Sequence, residues 1–187
     1  MRHPGSILNA LALLVLIFSD VVSATEPGRE FSAEAVGEFG LGGGNRMLVT
    51  FVIDRFTSVE EAQQLAGLLE RGGQSSLVAA LRGRFDGRLR MGALEMPLAL
   101  VVAEPVDRGG YRYLFLTPRR IQFHEKEFGE ESLNYPFGIV EFEVDRFGRG
   151  VGNLHLAAAL SIDADGHVEI EDYDGADGRI ERIKQLR

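Results

Sequence analysis

The chain has 187 residues, a formal net charge of −8 and no cysteine. The acidic balance argues against nucleic-acid phosphates and anionic membrane surfaces as partners, and without cysteine neither a disulfide framework nor a lipid-anchored export signal can form. With 12 Phe and 4 Tyr, the chain still has the aromatic bulk for a packed core.

The first element reads as a targeting signal. Arg2 and His3 precede Ile7 to Phe18, which is apolar apart from Asn9, and Val22-Ser23-Ala24 supplies the small residues that signal peptidase reads. Asp20 ends the run well short of the roughly 20 apolar residues a spanning helix needs. The expectation is a cleavable signal over residues 1–24, periplasmic or secreted localisation, and no stable membrane insertion afterwards. Removing 24 of the 187 residues leaves 163, and losing Arg2 with Asp20 leaves the net charge at −8. Residues 25–187 suit one globular domain.

Glu26 to Glu30 is a polar lead-in. Phe31, Ala33, Ala35, Gly37 and Phe39 then alternate with Ser32, Glu34, Val36 and Glu38, the period of a half-buried strand. The glycine-rich turn at 40–45 leads into Met47 to Ile53, apolar on nearly both faces and so expected at the centre of a sheet. The period then changes. Ser58 and Glu61 have capping-box spacing, and Val59, Ala62, Leu65, Ala66 and Leu69 form one helical stripe. Gly72-Gly73 reads as its stop, with Ser75 or Ser76 capping a shorter helix through Leu81 that Gly83 closes. A helical hairpin at about 58–82 is the one clear α element.

Strands run from there to the end. Phe85, Gly87, Leu89 and Met91 alternate with Asp86, Arg88 and Arg90. An apolar strand, Leu98 to Ala103, is entered at Pro97. Asp107 to Gly110 turns into Tyr111 to Leu116, and Ile121 with Phe123 makes a short strand before a charged loop ending at Asn134. In the last third, Val140, Phe142 and Val144 share one face of a strand, and Leu154, Leu156, Ala158, Leu160 and Ile162 share one face of the next. Keeping apolar opposite apolar selects three-residue loops at Arg146-Phe147-Gly148 and Ala164-Asp165-Gly166, each with glycine in the left-handed bulge position. The register then pairs Asp145 with Arg149, Val140 with Leu154, Phe142 with Gly152, Asp163 with His167, Leu160 with Ile170 and Ile162 with Val168. Ile180, Ile183 and Leu186 recur every three residues, which fits a short helix or a bulged strand. Asp177-Gly178, a hairpin turn, favours the strand. The fold class is mainly β (α+β): about nine antiparallel strands in a closed or nearly closed barrel with one inserted helical hairpin, or, as the alternative, a two-layer sandwich.

At Thr117-Pro118-Arg119-Arg120-Ile121, Ser132 and Tyr135-Pro136-Phe137, followed by Glu141, Gly148-x-Gly150-x-Gly152 and Ile170-Glu171-Asp172-Tyr173, the chain resembles a group of small exported bacterial proteins of unknown function. They share the tyrosine-proline-phenylalanine segment and a glycine-spaced β-hairpin after it. The resemblance covers most of the mature chain and departs at Arg120, where it leads one to expect proline. It implies export and a shared fold, and no activity.

The residues offer little catalytic grammar. Gly42-Gly43-Gly44 leads into a strand, so it lacks the helix N-terminus of a phosphate cradle. Ser75 and Ser76 lack the glycine of a nucleophile elbow, and no two histidines sit at metal-ligand spacing. Glu141 with Glu143, and Glu169 with Glu171, read as the wet sides of amphipathic strands. No catalytic, cofactor or metal residues are therefore assigned. Four residues remain as candidate ligand contacts: His155, whose strand face could line a barrel, Arg119 and Arg120, which could gather an anion, and His124. The expectation is a binding module for a small apolar or anionic molecule, held in the barrel or under the helical lid. Behind it stand a structural or protein-interaction role in the envelope and, last, a hydrolytic enzyme.

Overall fold

The computed structural model describes residues 28–37, 45–107, 109–121, 134–164, 166–173 and 177–187. Ten strands and one helical element follow in chain order: β1 (Glu30–Gly37), β2 (Asn45–Ile53), α1 (Val59–Leu81), β3 (Gly87–Met91), β4 (Leu94–Leu98), β5 (Leu100–Val106), β6 (Gly110–Thr117), β7 (Phe137–Val144), β8 (Arg149–Ile162), β9 (Val168–Asp172) and β10 (Asp177–Gln185). Nine of them form one antiparallel path, β4-β3-β2-β1-β10-β8-β7-β6-β5, and β9 pairs with β8 off that path. The two ends of the path are consecutive in the chain, with only Ala99 between them. The sheet is therefore a nearly closed barrel rather than a sandwich.

Closure follows from a bend at Ala99. Leu98 still accepts from Asp86 N (2.8 Å) on the β3 side, while Ala99 N already donates to Leu116 O (2.9 Å) on the β6 side. Thr57 seals the seam: its N–H donates to Val101 O, and its hydroxyl oxygen accepts from Val101 N. Pro97, expected at the entry of one strand, lies inside β4 opposite Arg88, so the single strand expected at 98–103 is two strands meeting at a corner.

Both hairpin registers in the last third occur as the apolar parity requires. Val140 faces Leu154 and Phe142 faces Gly152; Leu160 faces Ile170 and Ile162 faces Val168. Gly148 (φ 70°) and Gly166 (φ 86°) take the left-handed bulge position. A side chain at Gly152 would stand 2.1 Å from the Glu141 carbonyl oxygen, so the Phe142 strand can approach only because position 152 is bare. The three-residue period at 180–183 is also a strand: a bulge with Arg182 at φ 53° turns both Ile180 and Ile183 inward.

One shared face does not hold. Leu154 and Leu156 point into the barrel, whereas Ala158 and Leu160 pack outside it. A register shift in the β7–β8 pairing, where Ile139 meets His155 but Phe137 meets Ala158, places one extra residue in β8. Leu156 and Ala157 consequently both face inward, and the parity of the strand inverts after them.

The barrel interior is filled. Phe31, Phe51, Tyr113, Phe115 and Phe142 are each at most 2% exposed. Their rings meet at centroid distances of 4.9 to 6.1 Å, several of them edge-on. Arg29 closes one side of this core, its guanidinium 5.0 Å from the Tyr111 ring centroid and bonded to the Tyr113 hydroxyl. The interior expected as a ligand chamber is a packed aromatic core.

Candidate functional site

The helical element lies on the outside of the barrel wall. Ser58 and Glu61 form the expected capping box, Ser58 Oγ accepting from Glu61 N (3.2 Å) and Glu61 Oε2 from Ser58 N (3.0 Å). Ala62, Leu65, Leu69, Leu77 and Leu81 are its buried residues. Gly72-Gly73 breaks the helix where expected, and two helical segments meet across a kink there. Gly73 takes φ 64°, ψ −170°, and helix resumes directly, with Ser76 Oγ donating to the Gly72 carbonyl (3.0 Å) instead of capping a new segment. The side chain after the kink is an anchor: Gln74 Oε1 accepts from Leu160 N (3.0 Å), and its Nε2 donates to Asn134 O (3.1 Å). The bond to Leu160 satisfies a β8 amide beyond the end of β7, where no other strand among the described residues pairs it.

A second network ties the N-terminal end of α1 to the seam. Asp86, fully buried, accepts from the Thr57 hydroxyl (2.6 Å) and from Arg84 Nη2 (3.4 Å), and its other oxygen lies 2.6 Å from Arg55 Nη2. Both arginines continue to Glu61. The hydrogen bonds from Arg55 hold the Glu61 carboxyl well below its ordinary range, at about 2, aided by the Ser58 amide and the Arg84 charge.

Between α1 and the wall lies an apolar cleft of about 50 Å³. Ala62, Leu65, Ala66 and Leu69 roof it, and Leu100, Leu114, Leu116, Ile139 and Leu160 form its floor, with Val168 and Ile170 of β9 along one side. These floor residues point outward because the inward positions of β5 to β7 already belong to the aromatic core. For β8, it is the bulge that turns Leu160 toward the helix. Apolar side chains on both faces of a barrel wall need a cover on each side, and α1 covers the outer one incompletely.

The floor runs directly into charge. Cross-strand partners share a face, so His155, opposite Ile139, and Glu141, opposite Leu114, continue the cleft floor, as does Asp172 opposite Ala158. His155 Nδ1 is 2.8 Å from Asp172 Oδ1, and its Nε2 is 3.6 Å from Glu141 Oε1. Burial works against charge on His155, but the hydrogen bond to Asp172 and the nearby Glu141 carboxylate outweigh it and push the imidazole up to about 9. Burial would likewise raise Glu141, yet the neighbouring His155 and the hydrogen bond from Asn153 Nδ2 (2.9 Å) hold its carboxyl below the usual range. A general base must be unprotonated at its working pH. His155 is an imidazolium at neutral pH, so here it is the centre of an ion-pair cluster rather than a base. One strand position further, Arg112 lies between Glu104 (3.0 Å) and Glu143 (Nε to Oε1 2.7 Å).

The three expected ligand contacts within the described residues, His155, Arg119 and Arg120, do not form one site. His155 sits on the outer wall with Asp172 and Glu141. Arg119 reaches instead across the barrel end, donating to the Glu95 carbonyl (3.3 Å) on β4, with Arg120 next to it in the chain. His124 lies outside the described residues, as do the strand expected at Phe123 and the loop behind it. His167 meets Asp163 (3.3 Å) at the hairpin mouth as the register requires. Among the described residues no group of three His, Asp or Glu side chains is placed to hold a metal ion, and no helix is long and apolar enough to cross a membrane. What the sequence did not show was the cleft itself, along with the place of Asp172 and Glu141 beside it. Its floor residues read as ordinary strand core, and only the β8 bulge distinguishes the two faces.

The chain matches no protein-family model, no curated protein and no solved structure.

Proposed function

We propose that this is an exported binding module that holds a small apolar molecule outside the barrel wall, beneath the α1 lid. One observation carries the reading: the barrel interior is filled by aromatic rings, whereas the interface of lid and wall leaves a cleft lined by apolar side chains from five strands and the helix. Pockets of this make-up, concave and apolar with a few polar groups at the edge, are where small ligands bind. The magnitude narrows the ligand. About 50 Å³ falls well below the roughly 150 Å³ that accommodates a benzene ring, so the cleft holds a short segment of a slender alkyl chain, whose remainder runs on along the open side of the floor. Export rests on the N-terminal pattern of Arg2, the apolar run and Val22-Ser23-Ala24, and on the Tyr135-Pro136-Phe137 resemblance.

Isothermal titration with 1-octanol tests the reading. The unmodified mature chain should bind it, and Ala66→Phe, which puts a ring into the cleft from the roof, should abolish binding while leaving the thermal midpoint within a few degrees. Binding that survives Ala66→Phe unchanged would overturn the proposal.

A further inference from the structure

The cations on the rim are outnumbered by carboxylates. His155 stands between Asp172 and Glu141, and Arg112 between Glu104 and Glu143. Two cations against four carboxylates leave this rim with a net charge of −2 when all are ionised. A carboxylate or phosphate head would find each cation already neutralised and would pay the repulsion of the second acid beside it. The anionic ligand allowed by the sequence is thus disfavoured at this place.

The surplus also has a specific acceptor. Both interactions of Glu141, from Asn153 and from His155, fall on Oε1, which leaves Oε2 without a hydrogen-bond partner among the described residues. Its side chain is only 20% exposed and lies directly across from Leu114 of the cleft floor. A carboxylate offers about four lone-pair sites. Apolar floor and unfilled acceptor lie on neighbouring strand positions of one face.

We propose that the cleft takes a primary alkylamine, its chain on Leu114, Leu116 and Ile139 and its ammonium head donating to Glu141 Oε2. This rests on the cleft reading above. The ammonium brings three donors and no acceptor, and its charge-assisted bond to a carboxylate is about twice as strong as a neutral one. His155 fixes Glu141 and Asp172 at the edge of the floor, so it acts as a positioning residue.

The test compares three probes of equal chain length, octylamine, 1-octanol and sodium octanoate, titrated into the mature chain at pH 7 and moderate salt. Octylamine should bind about tenfold tighter than octanol, a difference of about 1.4 kcal/mol, with octanoate weakest. Glu141→Gln should bring octylamine to within a few-fold of octanol measured on the same variant. Glu141→Ala gives the same comparison, should Glu141→Gln fail to fold. Octanoate binding as tightly as octylamine, or an amine preference that persists in the folded variants, would overturn the headgroup assignment and leave the cleft reading standing. No binding by any of the three would overturn both.

Discussion

The two sides of one barrel wall have been packed in opposite ways. Inside, five aromatic rings from β1, β2, β6 and β7 meet edge to face and leave nothing exposed. Outside, aliphatic side chains of the adjoining wall strands meet a helix that reaches them unevenly and leaves a cleft. The difference lies in what each layer must do. Rings close the interior because a small barrel has room for only one layer of large side chains. The first segment of the lid is pinned at both ends, by the Asp86 cluster at the seam and by Gln74 just past the kink, and the stretch between can stand off the wall.

The contrast can be tested by mutation. Phe142→Ala, which removes the ring in contact with Phe31, Phe51, Tyr113 and Phe115, should cost about 4 kcal/mol in chemical denaturation, as is usual for a buried aromatic. Leu65→Ala in the lid should cost only about 2 kcal/mol, because it enlarges a cleft that already exists and the helix can settle. Equal costs would mean that lid and barrel are packed alike.

His155→Gln probes the rim. The imidazole, at about 9 in the folded chain against 6.5 when free, contributes stability that is fully present below pH 6.5 and lost as the pH rises through 9. The variant should therefore lose on the order of 2 kcal/mol at pH 6, little at pH 10, and with it the decline between those limits. A pH series of denaturation midpoints for both chains reads this directly. Gly73→Ala should cost on the order of 1–3 kcal/mol, since φ 64° with ψ −170° is a backbone conformation that only glycine adopts freely, although the space around it is open. Its thermal midpoint should fall by a few degrees without change in the barrel.

Much of this was readable in the residues, because the rules that apply are local. Asp145 to Gly148 and Asp163 to Gly166 carry their turn type in the chain, and apolar parity then leaves one register. Ser58 and Glu61 specify a helix start on their own. The misreadings came where tertiary packing decides. Alternation on β8 cannot reveal a bulge at Leu156 and Ala157, since both are apolar whichever way they face. Gly72-Gly73 ends the first helical segment as the residues indicate, but only the bonds from Gln74 to Leu160 and Asn134 fix how closely the second follows. His155 was marked from its strand, but its partners lie 14 and 17 positions away in sequence, and only the β7–β8–β9 register joins them.

The central claim is that a ligand lies under the lid and not in the barrel. Methyl-resolved NMR of the mature chain titrated with octylamine tests it most directly. The methyls of Leu65, Leu114 and Leu116 should shift together and saturate, while those of Leu89, Val101 and Val140 in the interior stay fixed. Saturable shifts of the interior methyls, with the lid and floor unmoved, would contradict it.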